Sequence, residues 1–271
     1  AVHFMLLPFG VWAIGVAPHL EGLDRALIFA ALGLFLGQIS NSNAHELIHA
    51  SRRLPRRIGT AVYISLLHGH HVSAHLRVHH PAAATAADPN SAPKGMGFWR
   101  FLLSASWGEF RAGWQADNAQ RARKTGAMGL YPYAIYLGGA AVALLTALFF
   151  GGITGLFAYL GLAAYAQMQL LLSDYVQHYG LRRQQRPDGR FEPIGPQHSW
   201  NAPKWYSAAM MLNAPRHSDH HMRPARAFPA LEVTEEMPKL PYSLPIMAVI
   251  ALVPPLWRRV MDARVARWGR G

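Results

Sequence analysis

Pro215-Arg216-His217-Ser218-Asp219-His220-His221-Met222 sets three histidines within about one helical turn. At that spacing His217, His220 and His221 lie on one side of a helix and are predicted to converge on a point that a metal ion can occupy. Neutral imidazole is the commonest nitrogen ligand for iron, zinc and copper. A polar loop that happens to be histidine-rich is the plainer reading of the same residues, and three further stretches argue against it. His45-Glu46-Leu47-Ile48-His49 presents two imidazoles at i and i+4, and His75-Leu76-Arg77-Val78-His79-His80 presents three at i, i+4 and i+5. His178 stands in Asp174-Tyr175-Val176-Gln177-His178-Tyr179-Gly180. A mononuclear site uses about four to six ligands, so nine histidines with few carboxylate companions imply two metal ions.

The chain between these groups is apolar. Half of the 271 residues are hydrophobic, and runs at about 2–18, 26–49, 131–150 and 156–178 are predicted to cross a membrane. They pair into two hairpins, with Gly151-Gly152-Ile153-Thr154-Gly155 as the second turn. The expected fold class is therefore an all-α integral membrane protein, a single domain over 1–271. Segments 50–130 and 179–271 form a histidine-rich cap. Ile58 to His71 is moderately apolar, but a crossing there would separate His45 and His49 from His75 and His79 by about 30 Å, the thickness of the hydrocarbon core. It is read as an interfacial helix with Arg52, Arg53, Arg56 and Arg57 at the headgroups. Ser243 to Trp257, interrupted by Pro245, Pro254 and Pro255, is read the same way, and Phe98 to Ala122 is expected to form amphipathic surface helix.

Charge gives the orientation. Of 26 Lys and Arg, only Arg25 lies at the two short links; the rest share the side of the histidines, which the positive-inside rule makes cytoplasmic. That asymmetry accounts for most of the +12 net charge without nucleic acid. No residue is cysteine, which excludes disulfides, thiolate metal sites, a cysteine nucleophile and an internal iron–sulfur cluster. No Gly-x-Gly-x-x-Gly or other flavin or nicotinamide site is present, so electrons for any redox chemistry must come from outside. A metal transporter would need ligands near the bilayer midplane; these lie at one face, which argues against a non-enzymatic metal-binding role.

The four histidine groups resemble the boxes of the membrane non-haem di-iron alkane 1-monooxygenases, within the fatty-acid desaturase and hydroxylase superfamily. His45 to His49 is similar to the first box. His75, His79 and His80 with Asp88-Pro89 fit the second, Asp174 to Gly180 the third, and Arg216 to His221 the last. Asp188 to Glu192, His198 to Asn201 and Pro255 to Asp262 extend the likeness. The sequence departs from the family pattern at Ala50, Ala74, Asp174 and Gln177. The resemblance implies six spans, so an N-terminal hairpin is expected to be missing from this chain. It implies two iron ions held by His45, His49, His75, His79, His80, His178, His217, His220 and His221. Glu46, Asp174, Asp219 and His198 are expected to support the ligands from behind.

The activity implied is O₂-dependent hydroxylation of the terminal methyl of medium- to long-chain n-alkanes entering from the bilayer of a bacterial inner membrane. Desaturation or hydroxylation of fatty acyl chains and oxidation of methyl-aryl compounds are the alternatives on the same centre. Electrons are expected from rubredoxin or ferredoxin and its reductase. Arg182, Arg183, Arg186, Arg223 and Arg226 are candidates for docking an acidic carrier. His68, His70 and His71 are read as helix surface or as support for the ligands.

Overall fold

The computed structural model describes residues 1–123 and 129–268. Small parts of the cap assigned to 50–130 and 179–271, namely 124–128 and 269–271, lie outside the described residues. Among the described residues the structure is helical, with no strand beyond isolated bridges of Gln185 with Phe191 and Asn201 with Lys239. The longer helices are α1 (Val2–Gly15), α2 (Gly22–His49), α3 (Arg53–Ser65), α4 (Phe98–Ala122) and α5 (Pro132–His178). Three short helical segments, His71–Ala74, His75–His79 and His80–Ala82, follow one another directly before α4. The C-terminal part holds α6 (Trp205–Met210), α7 (His217–Met222), α8 (Leu244–Ala251) and α9 (Pro254–Trp268). The chain forms two compact units, residues 1–72 with 121–170 and residues 73–120 with 171–271.

Two helices, α2 and α5, are long and apolar enough to cross a membrane. The first expected span, 2–18, is helical only over α1, whose 14 residues reach about 21 Å and so fall short of the ~30 Å core. Arg25 ends that helix by donating to the carbonyls of Ile14 (2.8 Å), Ala17 (2.7 Å) and Leu20 (2.9 Å). The turn expected over 151–155 contracts to Gly152, the one residue of α5 with non-helical dihedrals (φ 60°, ψ −162°). The chain bends sharply there: a Cβ on Gly155 would lie 3.4 Å from the carbonyl of Ala147, residues about 12 Å apart along a straight helix. Arms 132–151 and 153–178 are each about long enough to span.

In the first unit, α2 packs against the second arm of α5 through small residues. A Cβ at Gly33 would overlap the Tyr165 ring and one at Gly37 the Gln169 amide, while Phe29 stacks on Tyr165 at 5.7 Å. Close approach lets amides bond backbone inside an apolar layer: Gln169 to the Gly33 carbonyl (2.8 Å), Asn41 to those of Gly37 and Ala166 (both 3.0 Å). These bonds surround Phe35–Ser40, where α2 widens into a π-helical turn before its histidines. The end of α3 is held by Tyr159 and Gln167, which donate to the carbonyls of Ser65 and Leu66 (both 2.7 Å).

The second unit is built on an aromatic core. Tyr175 lies 5.3 Å from the rings of Phe101, Tyr179 and Trp257, and Trp200 donates to the Tyr179 carbonyl (2.9 Å). The segment Ser243 to Trp257, expected to be short and interrupted by its prolines, is divided at 252–253 between α8 and α9, directly before Pro254. Trp257 is fully buried, because its ring fills the space beside Tyr175 and Tyr179.

Candidate metal centre

The second unit gathers seven imidazoles into two groups. His79, His178, His217 and His221 are all buried, and each offers a ring nitrogen within 4.8 Å of the others. His75, His80 and His220 form the second group under the same limit. The groups adjoin, with the His80 and His221 rings 4.7 Å apart. In the first unit His45 and His49 sit one turn apart on α2, their rings 4.9 Å from each other.

The single point of convergence expected for His217, His220 and His221 is divided between the two groups. On α7, His217 and His221 differ by about 40° of rotation, whereas His220 is about 100° from His221 and faces the other group. The second box is divided by its backbone. His75–His79 is π-helical, and the wider turn brings His75 Nε2 to 3.0 Å from His80 Nε2 while His79 turns to His178 and His221.

The donor chemistry of the buried group fits a cation. The Nε2 atoms of His178 and His221 point at that of His217, at 2.9 and 3.1 Å. A neutral imidazole has one N–H and one lone pair, so three nitrogens facing one point cannot all be satisfied by one another. Nδ1 of His178, His217 and His221 and Nε2 of His79 are buried without a hydrogen-bond partner. A cation that takes the converging lone pairs resolves the first problem, and buried neutral rings are the form it needs. Burial first, then the neighbouring imidazoles, holds His221 well below its ordinary value; burial brings His217 down to about 3.

His79 differs because it has a carboxylate. Its Nδ1 lies 2.9 Å from Asp88, which leaves Nε2 directed into the group. Burial opposes charge on His79, but Asp88, with Asp174 and Glu109, outweighs it and raises the ring to about 9. The Asp88-Pro89-Asn90-Ser91 turn is a hub: Asp88 also accepts from the Ser91 hydroxyl (2.6 Å) and the Asn90 N–H (3.1 Å). The Asn90 amide donates to both Asp174 (2.8 Å) and Glu109 (3.1 Å). Asp117, two turns beyond Glu109 on α4, accepts from Ser73 (2.8 Å) and pairs with Arg77 (3.0 Å).

Asp88, Asn90, Glu109 and Asp117 were not among the supporting residues expected. Their signal in the sequence is faint: Glu109 and Asp117 share the period of the buried face Phe101, Ala105 and Gly113. Of the expected set, Asp174 joins this hub. Asp219 is taken up by Arg226 (2.8 Å), Arg223 (3.3 Å) and the Glu232 N–H (3.0 Å). His198 uses both nitrogens in its own loop, accepting from the Gly195 N–H (2.8 Å) and bonding Glu192 (3.0 Å). Glu46 is half-buried on α2. His68, His70 and His71 pack ring on ring, His68 lying 4.7 and 5.1 Å from the other two.

The candidate docking arginines are unequally available. Arg182 donates to the Ser91 carbonyl (3.0 Å) and Arg183 to those of Pro81 (2.8 Å) and Glu192 (2.6 Å), so both clamp the cap. Arg226 and Arg223 hold Asp219, Arg223 remaining 55% exposed, and Arg186 is exposed. Gln177 is buried, with its Nε2 on the Ala214 carbonyl (3.1 Å) and its Oε1 accepting from Ser173 (2.8 Å). A carboxylate could not donate to that carbonyl.

Comparison with known proteins agrees with this centre. The fatty acid desaturase family model matches residues 25–249. Alkane 1-monooxygenase 1 of Pseudomonas aeruginosa is 33% identical over 269 residues, covering 96% of this chain and 70% of that protein. Alkane 1-monooxygenase 1 of Alcanivorax borkumensis is 31% identical over 281 residues, covering 100% of this chain and 67% of that protein. The xylene/toluene monooxygenase hydroxylase component of Pseudomonas putida is 28% identical over 270 residues, covering 93% and 67%. The chain belongs to the fatty acid desaturase family, and within it to the alkane 1-monooxygenases.

Proposed function

We propose that this chain hydroxylates the terminal methyl of medium- to long-chain n-alkanes, with O₂ as oxidant, at two iron ions held by the nine histidines. The observation that carries the reading is the buried, all-imidazole group of His79, His178, His217 and His221 beside a second group containing His75, His80 and His220. His45 and His49 are included as ligands because their i, i+4 spacing sets both rings on one face of α2. Bound there, iron supplies reductive activation of O₂. The reaction balances as RH + O₂ + 2e⁻ + 2H⁺ → ROH + H₂O. The two electrons come from rubredoxin or ferredoxin, since the chain has no cysteine for a cluster of its own. Arg186 and Arg223, exposed on the cap, are the better placed of the candidate arginines for an acidic carrier.

The protein's own residues position and neutralise. Burial keeps His217 and His221 unprotonated, and Asp88 fixes which nitrogen of His79 faces the metal. An alkane offers no polar handle, so selectivity rests on apolar positioning of the methyl. The apolar helices α2 and α5 support entry of the substrate from the bilayer, with the histidines on the cytoplasmic side of a bacterial inner membrane.

The test is gas chromatography–mass spectrometry of products from the iron-loaded protein with rubredoxin, its reductase and NADH, given mixed n-alkanes under ¹⁸O₂. Labelled 1-alcohols are expected. Consumption of NADH with about two irons bound but no labelled alcohol would overturn the alkane assignment. In that case labelled benzylic alcohol from xylene would favour the methyl-aryl reading that the Pseudomonas putida relative suggests.

A further inference from the structure

The cap unit exposes a continuous apolar surface. On α4, advancing about 100° per residue, Trp99, Leu103, Trp107, Phe110 and Trp114 fall within about 80° of arc. Leu103 is 76% and Trp107 63% exposed, and the rings of Trp107, Phe110 and Trp114 are stacked in series at 5.9 and 6.5 Å. Arg100 and Arg111 are exposed along one edge of this stripe. The two acidic residues of α4, Glu109 and Asp117, are both buried, so the outward charge of the helix is positive.

The stripe continues onto α8. The Trp99 indole donates to the Leu252 carbonyl (3.0 Å), and Ile246 and Val249 on α8 and Val253 in the turn after it, at i, i+3 and i+7, are exposed. At 8 residues, or about 12 Å, α8 is too short to cross a bilayer, yet its sequence Leu-Pro-Ile-Met-Ala-Val-Ile-Ala has no polar side chain. An exposed aliphatic face without polar groups, next to a tryptophan stripe edged by arginines, has the chemistry of the boundary between acyl chains and phosphate headgroups.

We propose that α4 and α8 together form a membrane-contact surface, lying in the plane of the phospholipid interface. Trp107 and Leu103 enter the acyl boundary and Arg100 and Arg111 reach the phosphates. A docking site for a soluble carrier would instead leave this face in water until the carrier arrived.

The absence of cysteine makes the test direct. Leu103→Cys and Val249→Cys are each spin-labelled in the full chain in phospholipid nanodiscs, and collision with O₂ is compared with collision with a water-soluble nickel chelate. Glu235→Cys, whose native side chain is 96% exposed, serves as the water reference. Iron content and thermal midpoint matched to the parent show that each variant is folded. The expected result is an O₂-to-nickel ratio several-fold above that of position 235 at both sites. Ratios equal to the reference would place the face in water and overturn the proposal. Protection from both reagents would assign the face to a protein contact, including a second copy of this chain, and would also overturn it.

Discussion

His221 shows what a single imidazole contributes here. It sits in a fully buried group where no water can replace a lost donor. His221→Ala is expected to lower bound iron and to cut alcohol formation by at least about tenfold, read by metal analysis and product assay of the same preparation. His198→Ala is the contrast: its nitrogens serve Gly195 and Glu192, so iron content should stay at the parent level while stability falls by about 1–3 kcal/mol. Equal iron loss in both variants would defeat that distinction. Asp88→Asn keeps shape but offers an amide to His79 Nδ1, which favours a proton on Nε2 where the lone pair is required. Iron affinity should fall about 10–100-fold in competition with a ferrous chelator. Unchanged affinity would mean that Asp88 does not orient His79.

At the scale of the element, α5 depends on one residue. Gly152 holds φ 60° and ψ −162°, a region essentially confined to glycine. Gly152→Ala is expected to cost about 1–3 kcal/mol, seen as a lowered thermal midpoint in lipid nanodiscs. The neighbouring Gly151→Ala should change little, because a Cβ there meets only Val11 and Val16 at an ordinary 3.7 Å. Loss of the same size in both would point to crowding instead of backbone conformation. The π-helical turns in α2 and at His75–His79 belong to this scale too. The first precedes the histidines of α2, and in the second, which contains His75 and His79, the wider turn changes which imidazoles meet.

For the whole molecule, metal binding and folding are coupled. The buried imidazoles come from 75–80, the end of α5 and α7, segments that meet only when the second unit is assembled. Removing metal with a chelator is expected to lower stability by about 2.7 kcal/mol if iron was present at a hundredfold over its dissociation constant, read as a lower thermal midpoint that ferrous iron should restore. An unmoved midpoint would show that the group folds without a cation. Orientation has its own check. Glu235→Cys should react with a membrane-impermeant maleimide in inverted inner-membrane vesicles and stay unlabelled in intact spheroplasts; the opposite pattern would reverse the assigned sidedness.

The histidine spacings and the apolar runs were enough to specify the family, a histidine cluster able to hold metal and the two helices long and apolar enough to cross a membrane. Each of those signals is local: ligand pairs sit at i, i+4 of one helix, and hydropathy is a property of a contiguous run. Allocation of the ligands was not local. Whether His220 sides with His217 or with His75 depends on how α7 is rotated against the segment 75–80, and a π-helical turn has no plain sequence signature. Support for the ligands was hidden for the same reason. Asn90 reaches Asp174 across 84 residues, and Glu109 and Asp117 look like ordinary surface charge until α4 turns them inward. Only the tertiary structure decided those contacts, because burial converts a solvated carboxylate into one that must find its donors inside the protein.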